Sequence, residues 1–117
     1  MKKIIIIVAF VFFGVSISAQ DKNAKIEFEV AGICGMCKKR IEKAALTTKG
    51  VKYASWSVET HMLSLIIDER KTDALTVKKN IAAVGHSTAE VETTEEAYDN
   101  LDPCCKYNDP EVIEDHK

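Results

Sequence analysis

Four cysteines in a chain of 117 residues are the side chains best equipped for chemistry. Two stand in Cys34-Gly35-Met36-Cys37 and two are adjacent, Cys104-Cys105. Thiols three positions apart can aim at one point when they straddle a loop-to-helix junction. Exposed N–H groups and the positive end of the helix dipole then favour the thiolates. Lys38, Lys39 and Arg40 follow directly. Three bases in a first helical turn work against the helix, so they read as a basic rim that steers an acidic partner. Thiolates are soft donors that select Cu(I), zinc and similar ions. A closed structural zinc site takes four ligands and this loop offers two. The pair therefore suits an ion of low coordination number that is passed onward, with Cu(I) first and Hg(II) or Zn(II) as alternatives.

The elements that must position these groups follow from periodicity. Lys25 to Val30 alternates, with Ile26, Phe28 and Val30 on one face and charges on the other, which predicts a strand with one wet side. Lys38 to Thr48 carries Ile41, Ala44 and Ala45 at helical spacing from Cys37 just before it, ended by Lys49-Gly50. Val51 to Val58, with Ala54, Trp56 and Val58 inward, and Met62 to Ile67 predict a hairpin turning at Glu59-Thr60-His61. Thr72 or Asp73 caps a second helix with Val77, Ile81 and Val84 on its apolar face and Gly85 at its end. Ser87 to Val91 is expected as a last short strand. The order βαββαβ predicts an α+β, ferredoxin-like fold: a four-stranded antiparallel sheet with two helices on one face.

The chain divides by charge. Residues 1–20 are basic and apolar, with Lys2 and Lys3 and no acid. The central segment is nearly neutral, and residues 93–117 carry eight acids against two bases. A basic start, the apolar run Ile4 to Val15 and small residues ending at Ala19 predict a signal peptide over residues 1–19. The run is short of the roughly 20 apolar residues of a membrane span. Export to an oxidising compartment, the periplasm, is the expectation, with an uncleaved anchor as the alternative. A net charge of −2 argues against nucleic acid as partner.

Residues 25–92 resemble the heavy-metal-associated domain of copper chaperones, metal-transporting ATPases and periplasmic mercury-binding proteins. The marks are Cys-x-x-Cys between first strand and first helix, Arg40-Ile41-Glu42-Lys43-Ala44, Gly50-Val51, and Gly85-His86 before the last strand. The resemblance implies reversible binding of a soft metal by Cys34 and Cys37 and its transfer by thiolate exchange. The acceptor would be a metal-transporting membrane protein or a metalloprotein, with the chaperone monomeric or a metal-bridged dimer. It also sets His86 near the metal loop, as a third ligand or a hydrogen-bond partner of a thiolate. The common pattern is Gly-Met-x-Cys-x-x-Cys, whereas here Gly32-Ile33 directly precedes Cys34, so the loop is one residue shorter and Ile33 must replace the buried methionine. Domain boundaries follow as signal peptide 1–19, heavy-metal-associated domain 20–92 and acidic Cys-Cys tail 93–117. His61 and His116 read as surface residues.

The tail holds the remaining thiols. Thr93-Thr94-Glu95-Glu96 reads as a capping box opening a short helix in which Tyr98 and Leu101 pack, stopped by Asp102-Pro103. The return to the metal loop is about one strand length, roughly 17–20 Å. A helix of about eight residues and three extended ones cover that span. Neighbouring Cα atoms stand about 3.8 Å apart, too close for an ordinary disulfide. Cys104 and Cys105 are therefore suited to a metal, or to bonding Cys34 or Cys37 when metal is absent, with Tyr107 packed beside them. Two rivals belong to other classes. A thiol–disulfide oxidoreductase also carries Cys-x-x-Cys at a helix start, although Pro103 and Pro110 both lie in the tail, where no cis-proline partner is expected. A domain stapled by two disulfides is the other. The metal-binding reading makes the protein no enzyme.

Overall fold

The computed structural model describes residues 21–117; the expected leader, residues 1–19, lies outside the described residues. Strand β1 spans Ala24–Glu29, helix α1 Gly35–Leu46, β2 Val51–Trp56, β3 Met62–Ile67 and α2 Ala74–Ala83. Two short helices, α3 at Glu95–Asp99 and α4 at Pro110–Asp115, flank a 3-10 turn at Pro103–Cys105. β3 is central, antiparallel to β1 on one side and β2 on the other. Phe28 and Trp56 both oppose Leu63, and Ile26 and Ala54 both oppose Leu65, so the period-2 pattern turns one set of side chains toward the helices.

Helix α1 begins three residues earlier than the apolar spacing predicts, with Cys34 in extended conformation at its N-cap. This brings both Gly35 and Cys37 into the helix and sets Cys37, Ile41, Ala44 and Ala45 on the buried face. Asp73 caps α2, its carboxylate accepting from the Thr76 N–H at 2.8 Å. β2 stops at Trp56; Ser57 to Thr60 form the turn and Val58 is exposed, contrary to its expected inward position. Val84 also lies past the end of α2 and faces out.

The expected fourth strand is not formed among the described residues. Ala31 N–H donates to the Ser87 carbonyl at 2.9 Å, and pairing goes no further. The chain instead turns: Thr88 N–H donates to the Val91 carbonyl and Val91 N–H to Thr88 Oγ1. Thr93 then ties back to the end of α2, its hydroxyl donating to the Ala82 carbonyl at 2.6 Å. Ser87-Thr88-Ala89-Glu90 has no large apolar side chain to hold a strand against the core, while its hydroxyls satisfy backbone groups locally. The sheet is therefore three-stranded.

The tail supplies what the missing strand would have covered. Leu101, Cys105 and Tyr107 are buried in the same core cluster as Val30, Ile41, Trp56, Leu63, Val77 and Ile81. Burying a leucine-sized side chain is worth about 1.5–3 kcal/mol, enough to hold a short segment in place. Thr94, not Thr93, caps α3, accepting from Ala97 N–H at 3.1 Å; Thr93 is engaged by Ala82. Lys106 closes that helix, donating to the carbonyls of Tyr98 and Asp99 at 2.8 Å each. Gly85 permits the entry of the tail. Its φ is +106°, and a Cβ there would stand 2.7 Å from Leu101 Cδ2.

Candidate metal centre

The sulfur atoms meet where α1 begins. Cys34 Sγ lies 3.4 Å from Cys37 Sγ and 3.3 Å from Cys105 Sγ. Cys105 Sγ is 3.9 Å from Cys104 Sγ, and Cys104 directs its S–H toward Met36 Sδ at 3.4 Å. The thiols of Cys34, Cys104 and Cys105 all lie within 4.8 Å of one another. All four cysteines are unbridged. Cys37 and Cys105 are buried, Cys34 is half-buried and Cys104 is exposed.

Position decides the protonation of these thiols. Burial raises the Cys34 pKa, but the backbone N–H groups of Cys37 and Met36 and the neighbouring thiols outweigh it, leaving Cys34 lowered. Burial pushes the Cys37 thiol up to about 12. Cys104 is raised by desolvation and by the adjacent Cys105. The thiolate is thus favoured at Cys34, whose sulfur touches Cys37 of the loop and Cys105 of the tail. A set of four thiols fits a soft ion. Around an ion with metal–sulfur bonds of about 2.3 Å, neighbouring sulfurs stand about 4 Å apart, near the separations within Cys34, Cys104 and Cys105; Cys37 lies outside that mutually close set, 3.4 Å from Cys34.

His86 stands outside this sulfur group. Its ring is buried, Nδ1 lies 2.8 Å from the Ala31 carbonyl and Nε2 lies 3.5 Å from Arg40 Nη1. Burial, with the nearby guanidinium, lowers its pKa to about 4, against the raising effect of the Ala31 carbonyl. The neutral ring therefore donates from Nδ1 and presents Nε2 to Arg40. It braces the segment that leads into the Cys34 loop, and its face stacks on Tyr107 at 5.5 Å between centroids. Tyr107 in turn donates from its hydroxyl to the Gly85 carbonyl at 2.7 Å.

The three bases after Cys37 have separate surroundings. Lys38 Nζ donates to Glu42 Oε2 at 2.8 Å and to the Trp56 carbonyl at 2.7 Å, fastening α1 to the end of β2. Arg40 pairs with Asp102 at 3.2 Å and so joins the tail to the body. Burial works against its charge, but Cys105, Cys37 and Asp102 more than compensate and its pKa is raised. Lys39 alone of the three has no side-chain hydrogen bond or ion pair among the described residues, and with Met36, Arg40 and Lys43 it lines a surface groove beside the sulfurs. Sequence reasoning missed Met36, although it lies inside the Cys-x-x-Cys; nothing in its spacing forecasts a contact with position 104.

A three-stranded α+β unit with clustered thiols at a loop-to-helix junction is the architecture of a small soft-metal-binding domain. No family model matches the chain. Solved structures and a curated relative do. The CopZ metallochaperone superposes with a TM-score of 0.55 at 27% identity, over 56% of this chain and 100% of that one. The N-terminal domain of the zinc(II) ATPase ZiaA, in its apo form, gives 0.51 at 30% identity, over 62% and 73%. The zinc-transporting ATPase of Synechocystis sp. is 35% identical over 65 residues, 55% of this chain and 9% of that protein's length. The chain belongs to the heavy-metal-associated domain family.

Proposed function

We propose that the protein is an exported, non-catalytic carrier of a soft metal ion, Cu(I) first, held by Cys34, Cys37, Cys104 and Cys105 and surrendered by thiolate exchange. The observation that carries this reading is the contact of Cys105 Sγ with Cys34 Sγ at 3.3 Å, which adds the tail thiols to the loop pair. Exchange begins at the exposed end, where an incoming thiolate meets Cys104 before the buried sulfurs. The likeness to a metallochaperone and to ATPase domains supports an acceptor that is a transporter or a second metalloprotein.

Zinc is the second reading. Four thiols match the ligand count of a closed zinc site, which the two of the loop alone do not. Hg(II) suits the same sulfurs. Competition titration of the reduced protein with Cu(I), Zn(II) and Hg(II) against chelators of known affinity separates these. Retention of Cu(I) with loss of Zn(II) is the expected result, and failure to hold any of the three overturns the reading. Export is tested by fractionation and N-terminal sequencing, with a mature start at Gln20 expected.

A further inference from the structure

The sulfurs extend past the triangle of Cys34, Cys104 and Cys105 into a row that does not end with the cysteines. From Cys37 it runs through Cys34, Cys105 and Cys104 to Met36, with successive separations of 3.4, 3.3, 3.9 and 3.4 Å. It begins in the core, where Cys37 is fully buried, and ends at Met36, which is 47% exposed. One ion bonds at most four sulfurs in a tetrahedron, and fewer in the low coordination that Cu(I) accepts. Five sulfurs strung from interior to surface exceed what a single ion can use.

We propose that Met36 is a fifth sulfur donor and that the array holds two Cu(I) ions, an inner one on Cys37, Cys34 and Cys105 and an outer one on Cys104 and Met36, with Cys34 or Cys105 shared. This rests on the reading of the thiols as a Cu(I) site. The Cys104 S–H held toward Met36 Sδ marks the outer position, because a thiol proton between two sulfurs occupies a place that a soft cation can take. Charge points the same way. Four thiolates with one Cu(I) leave three negative charges in a partly buried site, whereas a second ion leaves two, with the Arg40 guanidinium alongside. Loading both ions displaces up to four thiol protons to solvent and changes no oxidation state.

The thioether also gives the site a preference. Zinc takes cysteine, histidine and carboxylate ligands, while a thioether suits Cu(I). The outer position is therefore a copper position even if the inner one admits zinc. The arrangement has a mechanical consequence: the outer ion is joined to the tail and to the first helical turn together, so it clamps one against the other.

The test is anaerobic Cu(I) titration of the reduced protein followed by native mass spectrometry, in wild type and Met36→Leu. Met36 is exposed and leucine is a comparable helix former, so the fold is retained. Wild type is expected to hold two Cu(I) ions, and Met36→Leu to keep the first with unchanged affinity and bind the second at least tenfold more weakly. Selenomethionine-labelled protein should show a copper neighbour at the selenium absorption edge that Met36→Leu removes. Saturation of wild type at one ion, or wild-type binding of both ions by Met36→Leu, overturns the second site while leaving the four-thiol reading standing. Absence of any bound Cu(I) overturns both.

Discussion

Cys105 lies 71 residues from Cys34 in the chain, and their sulfurs are 3.3 Å apart. Cys34 is also the sulfur whose pKa is lowered, and it contacts Cys37 as well. It therefore connects the loop donors to the tail donors. Cys34→Ser should weaken Cu(I) binding more than Cys104→Ser, by at least tenfold, because the first change divides the group and the second trims its exposed end. Competition with a chelator measures both. Equal losses would remove Cys34 from its connecting position.

The tail should be separable from the body by one atom. Adding a Cβ at Gly85 sets it 2.7 Å from Leu101 Cδ2 and 2.9 Å from the Ala97 carbonyl, at a φ that already costs a side chain about 1–2 kcal/mol. Gly85→Ala is expected to release the tail and accelerate alkylation of Cys105, mapped by mass spectrometry. Tyr107→Phe removes the hydroxyl shared by the Gly85 carbonyl and the Ser87 N–H and should act in the same direction, by about 1 kcal/mol. Unaltered Cys105 reactivity in both variants would mean that these contacts do not hold the tail.

His86 makes the fold sensitive to mild acid. Its folded pKa of about 4 lies below the ordinary value of 6.5, so the unfolded chain takes up the proton first. Its contribution is complete above pH 6.5, declines as pH falls from 6.5 to 4, and is constant below that. A shift of this size amounts to roughly 3 kcal/mol across the window. Urea unfolding at several pH values should show this slope in wild type. It should be absent in His86→Asn, whose amide can still donate to the Ala31 carbonyl. Parallel curves for the two proteins would show that another group is responsible.

The basic residues of α1 should separate by task. Lys39→Ala is expected to slow metal transfer to an acidic acceptor at low salt and to have little effect at high salt. Arg40→Ala should instead loosen the tail. Because the Asp102 side chain is half-exposed, a double-mutant cycle between Arg40 and Asp102 should give no more than about 1 kcal/mol. A salt-dependent rate that ignores Lys39 would point the approach elsewhere.

Much of this arrangement is written in local pattern. Ile26 and Phe28 alternate with charges, Ile41 and Ala45 recur at helical spacing, and the Cys-x-x-Cys lies between those two segments; each is a short-range signal. Three features depend on long-range competition and are not. Ser87 to Val91 alternates weakly enough to suggest a strand, yet Thr88 and Thr93 find nearer partners. Lys38 and Arg40 look like free surface charges, but Trp56 and Asp102, distant in sequence, take them up. Met36 reads as a spacer between two cysteines, and only the path of the tail brings Cys104 to it.

Trp56 is the single tryptophan of the chain, and its position gives the protein an optical reporter. The indole is fully buried, its Nε1–H shared between the carbonyls of Val30 and His61 at 3.1 and 3.0 Å. A Cβ built at Gly32 would meet the indole at 2.9 Å, so the backbone two residues before Cys34 rests on the ring. The His61 imidazole lies against it, nearly parallel, at 5.5 Å between centroids. A shift of the loop on taking up an ion should therefore reach one fluorophore, and emission excited at the indole band is expected to follow loading and release in real time without an added label.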